Sequence, residues 1–152
     1  AKYFVFTGAF ISAADALALG IVTKLVESAG VDAAIQSLAV AGKPDKYRTR
    51  DIPEKFKAFA ALFGPGSVAT LLSGKIPGGA NAEIAGKVIK TLGFKAPLAL
   101  RIADEIVDQQ AGRPMPEAVE IELGRLKDIF STADALEGLS SVGRRRPEFK
   151  GA

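Results

Sequence analysis

The stretch Glu117-Ala118-Val119-Glu120-Ile121-Glu122-Leu123-Gly124-Arg125-Leu126-Lys127-Asp128-Ile129-Phe130 sets the fold class. Val119, Leu123, Leu126 and Phe130 stand four, three and four residues apart. That spacing is one face of an α-helix, and it predicts the best helix in the chain, with the stripe turned to the core. Glu117, Glu120 and Glu122 cluster at its start, where carboxylates oppose the positive end of the helix dipole. That structural role outweighs a catalytic one.

Helical periodicity continues on both sides. Downstream, Thr132 caps a last helix from Ala133 to about Val142. Upstream, Pro97 starts a helix to about Gln110, with Leu98, Ile102 and Ile106 four apart and Arg101–Glu105 placed to pair on its exposed side. Ile84, Val88, Ile89 and Leu92 mark another amphipathic helix, ended by Gly93. Residues 67–72 form a turn or two. Pro53 opens a helix in which Phe56, Phe59 and Phe63 make one stripe before Gly64-Pro65-Gly66. Residues 32–41 read as a short helix closed by Gly42, and 43–51 as a polar loop. Ser12 caps a helix over 13–19 that Gly20 stops. Residues 1–6 look like the end of a helix, or a strand, stopped by Thr7-Gly8. One segment breaks the pattern. Ile21-Val22-Thr23-Lys24-Leu25-Val26 is β-rich and reads as a strand, yet only residues 1–6 offer it a partner. The expected fold class is mainly α with one short strand, in a single helical domain over 1–152.

Composition narrows the function classes. The 152 residues are 48% hydrophobic and 24% charged, which excludes disorder as the main state. There is no Cys and no His, so thiol chemistry, Cys-ligated metal and the common nucleophile-and-base pairs are absent. No metal site is expected. The formal charge is +3, and Arg144, Arg145, Arg146 and Lys150 against Glu148 account for all of it. The basic character is therefore one short patch, whose plain reading is a solvated tail. With the rest of the chain neutral, nucleic-acid binding is not expected. Apolar runs such as 13–18 are short and interrupted by Asp15, so no membrane span is expected, and no signal peptide is visible. A cytoplasmic location fits the lack of Cys. Gly64-Pro65-Gly66-Ser67-Val68-Ala69 matches a dinucleotide-type glycine pattern, but it follows a helix where that turn needs a strand. The Gly-Lys pairs at 42–43, 74–75 and 86–87 lack the Ser or Thr of a phosphate loop. The opening Ala1-Lys2-Tyr3-Phe4-Val5-Phe6 reads like the middle of an apolar element, so a fragment or a trimmed chain is expected.

Two stretches carry a resemblance. Thr7-Gly8-Ala9-Phe10-Ile11-Ser12-Ala13-Ala14-Asp15-Ala16-Leu17-Ala18-Leu19-Gly20-Ile21-Val22 resembles the enoyl-CoA hydratase/isomerase (crotonase) pattern of a Thr-Gly turn, a small-residue helix and Leu-Gly-Leu-Val. Phe130-Ser131-Thr132-Ala133-Asp134-Ala135-Leu136-Glu137-Gly138-Leu139, with Arg145-Arg146-Pro147-Glu148-Phe149, is similar to the family's C-terminal pattern of Asp, Glu-Gly, a basic pair, Pro and Phe. Ala96-Pro97-Leu98-Ala99-Leu100 matches its small-Pro-x-Ala helix start. The matches follow family order and span most of the chain.

The resemblance implies the C-terminal helical part of a crotonase-like fold, most closely that of an enoyl-CoA hydratase, which adds water to a 2-enoyl thioester in fatty-acid oxidation. The family's oxyanion donors and paired glutamates lie upstream of the Thr-Gly turn, so no catalytic residue is assigned and the isolated chain is expected to be inactive. Such a part supplies scaffold, subunit contact and CoA contact. The implied substrate is a coenzyme A thioester, with no covalently bound cofactor, and the implied partners are acyl-CoA and further copies, as trimers or hexamers. By the Glu137-Gly138 register, Arg145 falls where hydratases often have a CoA-contacting Lys, and Val142 where many have a nucleotide-packing Phe. Arg144 and Arg146 are adjacent candidates for the same contact. The chain divides on this basis into 1–42 (helix-strand-helix), 43–95 (inserted helices) and 96–152 (helical lid and basic tail). The extra length between Val26 and Ala96 is similar to hydratase modules fused to a 3-hydroxyacyl-CoA dehydrogenase and to 3-hydroxyisobutyryl-CoA hydrolases. Hydration, isomerisation and thioester hydrolysis thus all stay open for the parent. The reading from a different class is a non-enzymatic helical association module with a basic tail.

Overall fold

The computed structural model of the chain describes residues 1–42 and 52–152. The polar stretch 43–51 lies outside the described residues. Those described are mainly α-helical, and no strand occurs among them. In chain order the helices are α1 Lys2–Thr7, α2 Ala13–Ala18, α3 Val31–Ala41, α4 Glu54–Ala60, α5 Ser67–Leu72, α6 Ala82–Leu92, α7 Pro97–Gln110, α8 Met115–Gly124, α9 Leu126–Phe130 and α10 Ala133–Ser141, with a 3-10 turn at Ser28–Gly30. The chain divides into two compact units, Ala1–Ala9 with Ala58–Ala152, and Phe10–Lys57.

The strand expected at 21–26 does not form. Its only possible partner, 1–6, is taken into α1. Its own amides turn back: Ile21 and Val22 N–H both donate to the Ala16 carbonyl at the end of α2, 2.8 and 3.3 Å away. With no second strand among the described residues to pair with, β-propensity alone does not make one.

In the first unit, Phe6, Leu62, Val68, Leu71, Ala85, Val88, Leu92 and Leu100 form one buried cluster. Helices α5, α6 and α7 meet in it, and α1 lies against α6 and α7. Tyr3 stacks on Phe59 with ring centroids 4.1 Å apart, and Phe63 tilts against Tyr3 and Phe6. Local signals set the boundaries. Asn81 accepts from Ile84 N–H and Thr132 from Ala135 N–H, each capping its helix. Gly8 ends α1 at φ +67°, a conformation that favours glycine.

The strongest sequence stripe has the opposite destination to the one expected. Val119, Leu123, Leu126 and Phe130 are all exposed, at 39–64%. What α8 and α9 turn inward is the half-buried set Ala118, Ile121, Arg125 and Ile129. The predicted single helix also breaks at Arg125, whose N–H bonds back only three residues, to Glu122. Gly124 weakens the helix there, and the Arg125 guanidinium is held by Glu105 (2.9 Å) and Asp128 (2.8 Å). Glu105, expected to pair with Arg101, is thereby used on Arg125.

In the second unit, Ser12 accepts from Asp15 N–H at the start of α2, and Asp15 in turn pairs with Lys55 at 2.6 Å. Helix α3 ends at Gly42 (φ +63°) and buries none of its residues.

Candidate functional site

The C-terminal residues that read as a solvated basic tail fold back onto α10. Asp134, 3% exposed, accepts Lys150 N–H at 2.7 Å and Gly151 N–H at 2.9 Å, while its own N–H donates to the Ala152 carbonyl. Glu137 accepts from both terminal nitrogens of Arg145, from Glu148 N–H (2.8 Å) and from Ser141 Oγ (3.1 Å). The Arg145 guanidinium, the Glu148 amide and the Ser141 hydroxyl together outweigh burial and hold the Glu137 carboxyl down at about 2. Gly138 leaves room for the Phe149 ring; a Cβ there would stand 3.4 Å from Phe149 Cε1. The Asp, Glu-Gly, Arg and Phe of the sequence pattern thus meet in one clasp.

The clasp delivers Arg146 to a cleft of about 170 Å³ lined by Leu72, Leu92, Phe94, Lys95, Pro97, Pro147 and Phe149. The Arg146 guanidinium lies 4.0 Å from the centroid of the Phe94 ring, a cation–π contact. Neither Arg146 nor Lys95 has a carboxylate partner among the described residues. Two cations over apolar and aromatic walls fit an anion with an apolar body.

The four sequence candidates separate. Arg146 reaches this cleft. Arg145 is spent on Glu137. Val142 is 75% exposed, and Arg144 is exposed with no carboxylate partner among the described residues. Lys95 and Phe94 were missed, since a Gly-Phe-Lys run after a helix carries no signal until the tail is brought to it.

A second polar centre was also missed. Lys2 Nζ lies 2.6 Å from both Asp104 and Asp108 and donates to the Gly64 carbonyl at 3.1 Å. Asp104 accepts Val68 N–H and Asp108 accepts Gly66 N–H, each at 3.1 Å. Burial works against the charged Lys2 amine, but its bonds to the two aspartates prevail and raise its pKa. The same bond from Lys2 lowers that of Asp108. Within the Gly64-Pro65-Gly66-Ser67-Val68-Ala69 pattern, the Gly66 and Val68 amides, which a phosphate would need, are therefore occupied by carboxylates. The one legible hint was Asp104, a turn beyond Leu100 on the inward side of α7. Among the described residues no group of acidic side chains could hold a metal, and no helix is long and apolar enough to cross a membrane.

Compared with protein-family models, curated proteins and solved structures, the chain has no match.

Proposed function

We propose that this chain is the CoA-contacting, C-terminal helical part of an acyl-CoA enzyme of the crotonase type, with enoyl-CoA hydration as the leading reaction of the parent. The observation that carries the reading is the cleft in which Arg146 lies over Phe94 and Lys95 lines the wall with Pro97 and Phe149, neither cation having a carboxylate partner among the described residues. Coenzyme A offers phosphates to the cations and an apolar body to the walls. Glu137 and Asp134 support the site by fixing the tail that presents Arg146. Arg145 then acts inside the protein as the counter-ion of Glu137, and the contact to ligand phosphate falls to Arg146 and Lys95. A 3-hydroxyisobutyryl-CoA hydrolase-type parent makes the same demand on this part. The chain contributes binding and scaffold, and a cytoplasmic setting accords with its chemistry.

Calorimetric titration with free coenzyme A tests this. Saturable binding is expected, weakened about tenfold by Arg146→Ala or Lys95→Ala, the cost of roughly one charge-assisted hydrogen bond. No binding, or binding indifferent to both variants, would remove the proposal. A non-enzymatic association module is the second reading, favoured by the exposed stripe on α8 and α9.

A further inference from the structure

Helix α8 carries an uncovered apolar face with a defined charge on its edges. Met115, Val119 and Leu123 recur every four residues within this one unbroken helix, so they stand one above the other, 76, 44 and 58% exposed. Scattered exposed apolar side chains are ordinary, but a row on one face is not. Glu120 follows Val119 and Glu122 precedes Leu123, so each lies about 100° round the helix from its neighbour in the row, on opposite sides of it. Both glutamates are exposed, and neither has an ion-pair partner among the described residues. The third glutamate of α8, Glu117, is set against Arg113 at 3.5 Å, and the helix holds no cation. Ala118 and Ile121 are its half-buried side, so the row is not what holds α8 to its unit.

We propose that this face docks a basic amphipathic helix of another protein, whose apolar side chains lie on the Met115, Val119 and Leu123 row and whose lysines or arginines meet Glu120 and Glu122. The pattern matches the amphipathic-helix mode of recognition, in which apolar anchors recur at helical spacing. Met115 is the adaptable part of such a surface, because an unbranched thioether repacks against different neighbours. Charge decides between the possible occupants. A second α8 would set glutamates against glutamates whether it ran parallel or antiparallel, and an anionic lipid surface would meet the same repulsion. Cationic flanks complement both edges. The row is short, so the contact belongs with the small, transient ones, and the charge pairs speed encounter more than they hold the complex. The inference goes beyond the thioester reading and is independent of it: no residue of α8 lines the cleft at Arg146, and coenzyme A binding can fail without touching it.

The test titrates the full chain against a fluorescent helical peptide of about 18 residues, with leucines on one face and lysines along both flanks, and against the same peptide with glutamates for lysines. Saturable binding of the lysine peptide alone is expected, weakening as salt is raised. Leu123→Ser weakens it about tenfold, with the helical circular dichroism unchanged because Leu123 is exposed. Glu120→Lys combined with Glu122→Lys exchanges the preference, so that the glutamate peptide binds and the lysine peptide does not. Glu27→Lys with Asp32→Lys, the same charge change made on exposed residues of the other unit, leaves the wild-type preference in place. No saturable binding, equal binding of the two peptides, indifference to Leu123→Ser, or a preference exchanged by the Glu27 and Asp32 variants would overturn the proposal. Self-association in sedimentation equilibrium that Leu123→Ser abolishes would give the face to a second copy and end it. Flotation with anionic phospholipid vesicles, lost in the same variant, would give the face to a membrane surface and equally end it.

Discussion

At the scale of single residues, two buried polar side chains, Lys2 and Ser67, call for opposite outcomes. Lys2 is satisfied by two carboxylates and a carbonyl. Lys2→Met strands Asp104, 4% exposed, and Asp108 without their cation, and breaking a buried pair from one side costs about 3–5 kcal/mol. A drop of that size in the urea-denaturation free energy is expected. The pH dependence has two signs. Lys2 is raised above 10.5, so its contribution is complete below that pH and is lost as pH climbs through the higher folded value. Asp108 is lowered from 3.8, so its share is present above that pH and disappears on acidification. Ser67 is the contrasting case. It is 7% exposed, and its Oγ has no hydrogen-bond partner among the described residues. Removing an unmatched buried hydroxyl from a helical position returns its desolvation cost, so Ser67→Ala should stabilise by about 1 kcal/mol in the same denaturation experiment.

At the scale of elements, the helices were legible wherever caps and breakers act locally. Ser12, Thr132, Gly8, Gly42 and Pro97 mark ends that depend on nothing beyond their own turn. What sequence could not decide was the side on which each element would be covered. The row from Val119 to Phe130 has ideal core spacing, and periodicity cannot tell a core from a surface that awaits a partner. The segment 21–26 has strand composition, but a strand is a property of two segments. The tail was legible only as a pattern of residue types, because its order comes from contacts eight to seventeen residues apart. Those contacts make a prediction about the tail as a unit. The Glu137 carboxyl falls from its ordinary 4.5 to about 2 in the folded chain, so it holds the tail fully above 4.5 and lets go as pH falls through about 2. Glu137→Gln should release the segment from Arg144 onward at neutral pH, seen as faster tryptic cleavage after Arg144 and Arg145 (Pro147 blocks the bond after Arg146), with cleavage elsewhere at its wild-type rate. The wild-type tail should become equally labile only in strong acid, read by amide exchange at Glu148. A tail as protected in Glu137→Gln as in the wild type would mean that Asp134 and Phe149 hold it alone.

At the scale of the whole molecule, apolar burial is divided unequally between the two units. The unit of Ala1–Ala9 and Ala58–Ala152 contains the cluster around Leu62, Leu71 and Leu92, all 0% exposed. Among the described residues of Phe10–Lys57, Ala16 is the only buried hydrophobic one, and Val31, Ile35 and Leu38 of α3 are 41–58% exposed. An eleven-residue helix gains little from its own hydrogen bonds, because nucleation is costly and most helical stability comes from packing. Opening α3 therefore exposes little new apolar surface, whereas opening α6 or α7 means dismantling the cluster. Native-state hydrogen exchange should separate the two: α3 amides open at a small fraction of the free energy that protects α6 and α7. Leu62→Ala supplies the decisive comparison. Deleting that fully buried side chain costs about 2–5 kcal/mol, and the whole loss should appear at the α6 and α7 amides. The α3 amides, which already exchange through a local opening, should keep their wild-type rates. Equal losses in α3 and α7 would mean that the chain opens as one cooperative body, and the exposed face of α3 would then need a different account.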